Sequence, residues 1–288
     1  MIDRLLNIID KFQRQPILYS YKVMKKIISK LILAIKTPRL TILLFQIRVI
    51  ERYFKIDLFF LSPRRFLIYL IEIFMLTSSR TLKLHDYGNY KLKKNMIPNK
   101  PIVYSGGVGT NISFDLEILK KNGGIVRLFD PTKQSIDYVD SLNKKKNLKF
   151  YPYALYFKNK KVKLYKDPSN RIKSTSINNF LEFDYKSFYY AQAYNLPYLM
   201  KKFKDKKIDI LKLDIEGVAE DLILGLFKKR KYPTQIVSAF EIPLNYVKFV
   251  KFIYKFLKFI AVIKKNYYLY NLRYRSRGVE MEILAVKK

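Results

Sequence analysis

The chain has 288 residues, 49% of them hydrophobic and 28% charged. That is enough apolar material for the core of one large domain, with or without a helical extension, and it is not the composition of a disordered or fibrous chain. There is no cysteine and a single histidine, His85, which excludes disulfides, thiolate or histidine metal clusters, and any Ser-His-Asp device that does not run through His85. The 57 Lys and Arg against 23 Asp and Glu leave a net charge of +34, a field that attracts nucleic acid, anionic lipid or acidic glycans. A chain rich in Lys, Ile, Asn, Phe and Tyr and devoid of Trp is also what A/T-rich codons supply, so the charge can equally record genome composition.

Residues 1–83 read as a basic amphipathic helical extension. The stretch 17–36, ILYSYKVMKKIISKLILAIK, carries apolar residues at helical spacing with lysines between them. Pro38 and Pro63 sit where new helices would begin, giving three or four helices. Such helices pack on a neighbouring domain or lie on an anionic membrane surface. The opening MIDRLLNIIDKFQRQP has an acid at Asp3 and no small-residue cleavage site, so no signal peptide is expected. The strongest candidate for a membrane span, FLIYLIEIFML at 66–76, contains Glu72 and is short of the roughly 20 residues a span needs. The expectation is a cytoplasmic protein, free or peripheral to the membrane.

From residue 84 to 288 short apolar runs alternate with helical stretches. PIVYS, GIVRLF, LKFYPYAL, DILKL, TQIVSAF and VEMEILAV read as strands. NISFDLEILKKN, TKQSIDYVDSLN, VAEDLILGLFKK and NYVKFVKFIYKFLKFIAVI read as helices, the last with one narrow stripe formed by Lys248, Lys251, Lys255 and Lys258 and otherwise buried. This alternation implies an α/β fold with a mainly parallel sheet covered on both faces. YYLYNLRYRS and the final strand have no helix between them, which predicts an antiparallel C-terminal hairpin at the sheet edge. YFKNKKVKLY, 156–165, reads as a second hairpin turning at Asn159 and Lys160. His85, in LKLHDYGNY, reads as a surface or packing residue, and no Gly-x-Ser-x-Gly motif is present.

Of nine glycines, five fall at Gly106, Gly107, Gly109, Gly123 and Gly124. The strand IVYS runs into Gly106-Gly107-Val108-Gly109, where missing side chains allow a sharp turn and a close ligand approach. A helix follows, with Thr110 or Asn111 as its expected N-cap. In such a sheet ligands bind outside the carboxyl ends of the strands, where strand order reverses. The second strand ends in Asp130, 21 residues beyond Gly109, where a carboxylate can accept two ribose hydroxyls, though Asp-Pro-Thr is also a good helix start. Gly107-Val-Gly109-Thr-Asn-Ile112 lacks the third glycine of a dinucleotide fingerprint, and no Gly-Lys-Ser/Thr holds a triphosphate. An adenosine ligand without pyrophosphate, such as S-adenosylmethionine, suits the loop better. A second constellation lies in ILKLDIEGVAEDLIL, where Asp214 and Glu216 project at a strand tip. A carboxylate there can take a proton from an attacking hydroxyl, hold the cofactor's positive end, bind a metal through oxygen, or simply favour the next helix's N-terminus.

VYSGGVGTNISFDLEIL, LFDPT and ILKLDIEG resemble the FkbM-like S-adenosylmethionine-dependent methyltransferases, over residues 84–288. The resemblance implies a Rossmann-like class I methyltransferase fold with a seven-stranded sheet, and methyl transfer to a hydroxyl of a sugar, glycolipid or related small acceptor. It matches Gly107 and Gly109 to the cofactor loop, Asp130 to the ribose acid, Asp214 and Glu216 to the acids after the fourth strand, and Glu241 to an acid closing the fifth, on the acceptor side. Where related enzymes place an acid for the methionine end, this chain has Ser105, and Asp115 is the candidate substitute. An extra Val218 puts Glu220 out of the family register, and Ile242-Pro243 stand where a polar residue is expected. The aromatic stretch at 183–200 precedes the fourth strand and can wall the acceptor pocket or pack in the core. Two other readings stay open: a nucleic-acid methyltransferase or RNA-binding protein using the basic surface, and a membrane-docking protein on a disused methyltransferase fold.

Overall fold

The computed structural model of the protein describes residues 83–142, 145–166, 175–177, 187–215, 217–243, 246–275 and 280–288. The helical extension expected over 1–83 lies, but for its last residue, outside the described residues, as does Glu216. The chain enters through a hairpin of β1 (His85–Tyr87) and β2 (Tyr90–Leu92) and continues to β3 (Ile102–Gly106), α1 (Ser113–Asn122), β4 (Ile125–Phe129) and α2 (Lys133–Asp140). Then come β5 (Leu148–Tyr151), β6 (Ala154–Leu155), β7 (Lys160–Lys166), β8 (Thr175–Ile177), β9 (Phe188–Tyr194) and α3 (Leu196–Lys202). The last part holds β10 (Ile210–Leu213), α4 (Ala219–Lys228), β11 (Gln235–Glu241), α5 (Tyr246–Ile263), β12 (Tyr267–Arg275) and β13 (Glu280–Lys287).

Runs that are apolar at nearly every position have no face to give to water, and they become inner strands covered on both sides. All four residues of β10 and all seven of β11 are buried. Seven strands form one sheet in the order β12-β13-β11-β10-β3-β4-β5. The pairs from β11 through β5 are parallel, while β13 runs antiparallel to both β11 and β12. This is the mostly parallel seven-stranded sheet with an antiparallel C-terminal pair that the sequence implied. The strand order reverses beside β3, between its neighbours β4 and β10, which opens a crevice at the carboxyl ends. The core beneath it joins Val103, Val126, Leu128, Ile210 and Val237 of the sheet to Phe114 and Ile118 of α1. On α5, Phe249, Phe252, Phe256, Phe259 and Ile263 are buried and Lys251 and Lys258 exposed, but the exposed face is wider than the lysine stripe alone, since Tyr254 and Val262 are exposed too.

Three local expectations are corrected. LKFYPYAL is not one strand. Pro152 has no N–H to give to a ladder, so β5 ends at Tyr151 and the chain bends away to start a separate sheet of order β6-β9-β7-β8. The hairpin expected over 156–165 does not form. Asn159 Oδ1 accepts from Asn195 N at 2.9 Å, and β7 pairs instead with the distant β9, from Lys160 opposite Ala193 to Tyr165 opposite Phe188. In this pairing Val162 and Leu164 are buried. Neither Thr110 nor Asn111 is the N-cap of α1. Ile112 holds that position, and Asn111 Oδ1 accepts from Ser113 N at 2.9 Å, one residue too early to cap the helix.

Candidate active site

The glycine loop is shaped by contacts that only a missing side chain permits. Gly107 has φ +79°, and a Cβ there would lie 1.9 Å from the Asp214 carbonyl oxygen. Its N–H donates to Phe129 O at 3.0 Å, and Asp214 N donates to Gly106 O at 2.9 Å. The loop therefore runs wedged between the ends of β4 and β10. Asp130 fixes its far side, Oδ2 accepting from Val108 N at 2.8 Å and Gly109 N at 3.1 Å. Asp130 Oδ1 accepts from Thr132 N at 2.9 Å, and Thr132 in turn caps α2 by accepting from Ser135 N. A carboxylate has about four acceptor directions, so with three engaged one remains on Oδ1 for a ligand hydroxyl.

These residues open onto a cavity of about 410 Å³, lined by Gly107, Gly109, Asp130, Asp214 and Glu241 among others. Its size is that of sites for small ligands and cofactors. The structure thus brings five of the expected site residues together. Ser105 and Asp115 do not line the cavity: both are buried, 0% and 1% exposed. Burial pushes the Asp115 carboxyl up to about 6, against the opposing pull of the Lys212 ammonium. The Ser105 hydroxyl stands close enough to favour the charged form, yet Ser105 Oγ and Asp115 Oδ1 each lack a partner at hydrogen-bond geometry. Glu241 is 7% exposed, and its Oε2 accepts from Gly217 N at 3.3 Å. Glu220 lies in the first turn of α4 on a neighbouring cavity, 4.0 Å from Lys255 Nζ, with burial raising its proton affinity. His85 sits half-buried in β1 and does not line the cofactor-sized cavity. Among the described residues no three His, Asp or Glu side chains converge as a metal site would require.

Sequence reasoning missed several polar residues of the cavity, Tyr90 and Lys212 the most buried among them. Tyr90, delivered by the β1–β2 hairpin, is 2% exposed and donates its hydroxyl hydrogen bond to Asp214 Oδ2. The Gly88-Asn89 dipeptide between two tyrosines is the turn signal that would have found it. Lys212, in the middle of β10, is 4% exposed, and its Nζ donates to Gly107 O. A lysine inside the otherwise apolar ILKL was the signal there. The apolar walls include Phe129, Ile215, and Leu155 and Leu164 from the second sheet. The described residues of the aromatic stretch before the fourth strand form β9 and most of α3, and none of them lines the cavity, whose wall on this side comes from β6 and β7.

The residues present fit an adenosine cofactor: a loop whose backbone faces the cavity with no Cβ at Gly107, a carboxylate at the end of β4, apolar walls, and carboxylates at the ends of β10 and β11. The FkbM methyltransferase domain matches residues 102–259, more than half of the chain. No curated protein matches it. Among solved structures, it is similar to a chain of the fibrillarin/Nop5p complex, with 10% identity over 69% of this chain and 77% of that one, at a TM-score of 0.41. It is similar to the fibrillarin pre-rRNA processing protein of Methanococcus jannaschii, with 12% identity over 74% and 86% of the chains and a TM-score of 0.38. M. capricolum TrmK bound to S-adenosyl-homocysteine matches at 12% identity over 67% and 65%, with a TM-score of 0.35. The chain belongs to the FkbM methyltransferase family and is an S-adenosylmethionine-dependent methyltransferase.

Proposed function

We propose that the enzyme methylates a hydroxyl on a glycan, glycolipid or related small acceptor. The observation that carries this reading is the pair of carboxylates, Asp214 and Glu241, that end adjacent strands and face one cavity with the loop held by Asp130. When bound, the cofactor supplies a methyl group on a positively charged sulfur that leaves as a neutral thioether. Asp130 Oδ1 receives a ribose hydroxyl, and Phe129 and the side chains of the second sheet exclude water from the nucleoside. Asp214 receives the proton of the acceptor hydroxyl as its oxygen attacks, with the Tyr90 hydroxyl already donating a hydrogen bond to its Oδ2. Glu216, the other carboxylate expected at this strand tip, is proposed for the same task. Glu241 orients the acceptor through a second hydroxyl. Most of the acceleration comes from holding the acceptor oxygen in line with the methyl group.

The test is transfer of an isotope-labelled methyl group from S-adenosylmethionine to a panel of monosaccharides, oligosaccharides and glycolipid extracts, read by mass spectrometry. The expected product is one methyl ether per acceptor, abolished in Asp214→Asn. Transfer to RNA and to no saccharide would contradict the acceptor class.

A further inference from the structure

Lys212 is a buried cation whose hydrogen bonding the described residues leave incomplete. Its Cα sits opposite Ser105 of the neighbouring strand, which brings no charge to pair with it. An ammonium has three donors. Among the described residues Lys212 Nζ has one hydrogen bond, to Gly107 O, and no ion pair. Its Nζ also stands 5.5 Å from the centroid of the Tyr90 ring. Asp115 feels its charge, but from within the core, with its own Oδ1 unpartnered. Burying an ammonium with unused donors is costly unless an anion or acceptors complete it, and Lys212 lines the cavity from which such an anion would come.

The loop separates two polar anchors, since Asp130 holds Val108 and Gly109 while Lys212 holds Gly107. The cofactor also has two polar ends, a ribose and an α-amino acid. Resting on the reading that places the ribose at Asp130, we propose that Lys212 binds the α-carboxylate of the cofactor's methionine end. Lys212 is then the residue by which the site distinguishes a complete cofactor from adenosine thioethers lacking that carboxylate.

The experiment is titration calorimetry with three ligands: S-adenosylhomocysteine, its decarboxylated analogue, and 5′-methylthioadenosine, which lacks the whole amino-acid end. In the wild-type protein S-adenosylhomocysteine is expected to bind about ten-fold or more tighter than the decarboxylated analogue. Lys212→Met should weaken S-adenosylhomocysteine by a similar factor and leave 5′-methylthioadenosine unchanged, whereas Lys212→Arg should keep the preference. If Lys212→Met does not fold, the wild-type comparison and Lys212→Arg still decide. Equal affinity of the wild-type protein for the carboxylated and decarboxylated ligands overturns the assignment while leaving the cofactor reading intact. Equal weakening of all three ligands by Lys212→Met also overturns it, since that is what mere support of the loop would give. A wild-type protein that binds none of the three overturns the cofactor reading and this assignment with it.

Discussion

At the scale of single residues, the site depends on what is absent at Gly107 and on what is buried at Asp115. Gly107→Ala forces a Cβ into the backbone of Asp214 at a φ of +79°, so the loop or β10 must move. Gly109 has φ +54° but open space around it, so its alanine variant meets only backbone strain, about 1 kcal/mol. Urea titration should therefore show Gly107→Ala markedly less stable than Gly109→Ala, and equal stabilities would refute the wedge between strand ends. Asp115 holds its proton more tightly in the folded chain, up to about 6, than the ordinary value of 3.8. The stabilisation this gives is full below about pH 4, declines as pH rises toward about 6, and is gone above it, a change on the order of 2–3 kcal/mol. Asp115→Asn should thus melt higher than wild type near pH 8 and level with it near pH 4, as differential scanning calorimetry can read. The sequence exposed Gly107, Asp130, Asp214 and Glu241 because each closes a strand. It could not place Asp115 behind the loop, nor Tyr90 over Asp214, because both depend on contacts between segments distant in the chain.

At the scale of elements, the strands and helices of the large sheet were legible because burial on two faces writes itself as unbroken apolar runs. The second sheet was not, because β7 finds its partner in β9 across some two dozen residues, and local pattern favours a hairpin instead. Polar residues inside the apolar runs mark where elements are tied together. Arg127 of β4 gives Asp205 two hydrogen bonds, Nε to Oδ2 at 2.6 Å and Nη2 to Oδ1 at 2.9 Å. Tyr104 of β3 donates to the same carboxylate at 2.7 Å, and the Phe203 ring lies 4.4 Å from the guanidinium carbon. This network fastens the segment after α3 to the sheet. Asp205→Ala strands a buried guanidinium and should cost about 3–5 kcal/mol in denaturant unfolding. The exposed pair of Lys91 and Asp86 should lose far less on the equivalent Asp86→Ala change, because solvent screens it. Similar costs for the two would mean that the Arg127 network does not tie the elements.

At the scale of the whole molecule, the strand order concentrates the chemistry. Reversal beside β3 brings the ends of β3, β4, β10 and β11 around one cavity, and the residues that the sequence marked as strand-ending acids meet there. The alternation of strands and helices foretold this layout, whereas the net charge of +34 says little about it, since the lysines are spread along the whole chain. No helix among the described residues is long and apolar enough to cross a membrane. The central claim is that the glycine loop and Asp130 hold the nucleoside of S-adenosylmethionine. It is tested most directly by calorimetric titration of S-adenosylhomocysteine into the wild-type protein and into Asp130→Ala. The account predicts saturable binding by the wild type that weakens by about 1–3 kcal/mol in the variant, the range for hydrogen bonds to a charged group. A folded wild-type protein that binds no S-adenosylhomocysteine, or a variant that binds it as tightly as the wild type, would contradict it.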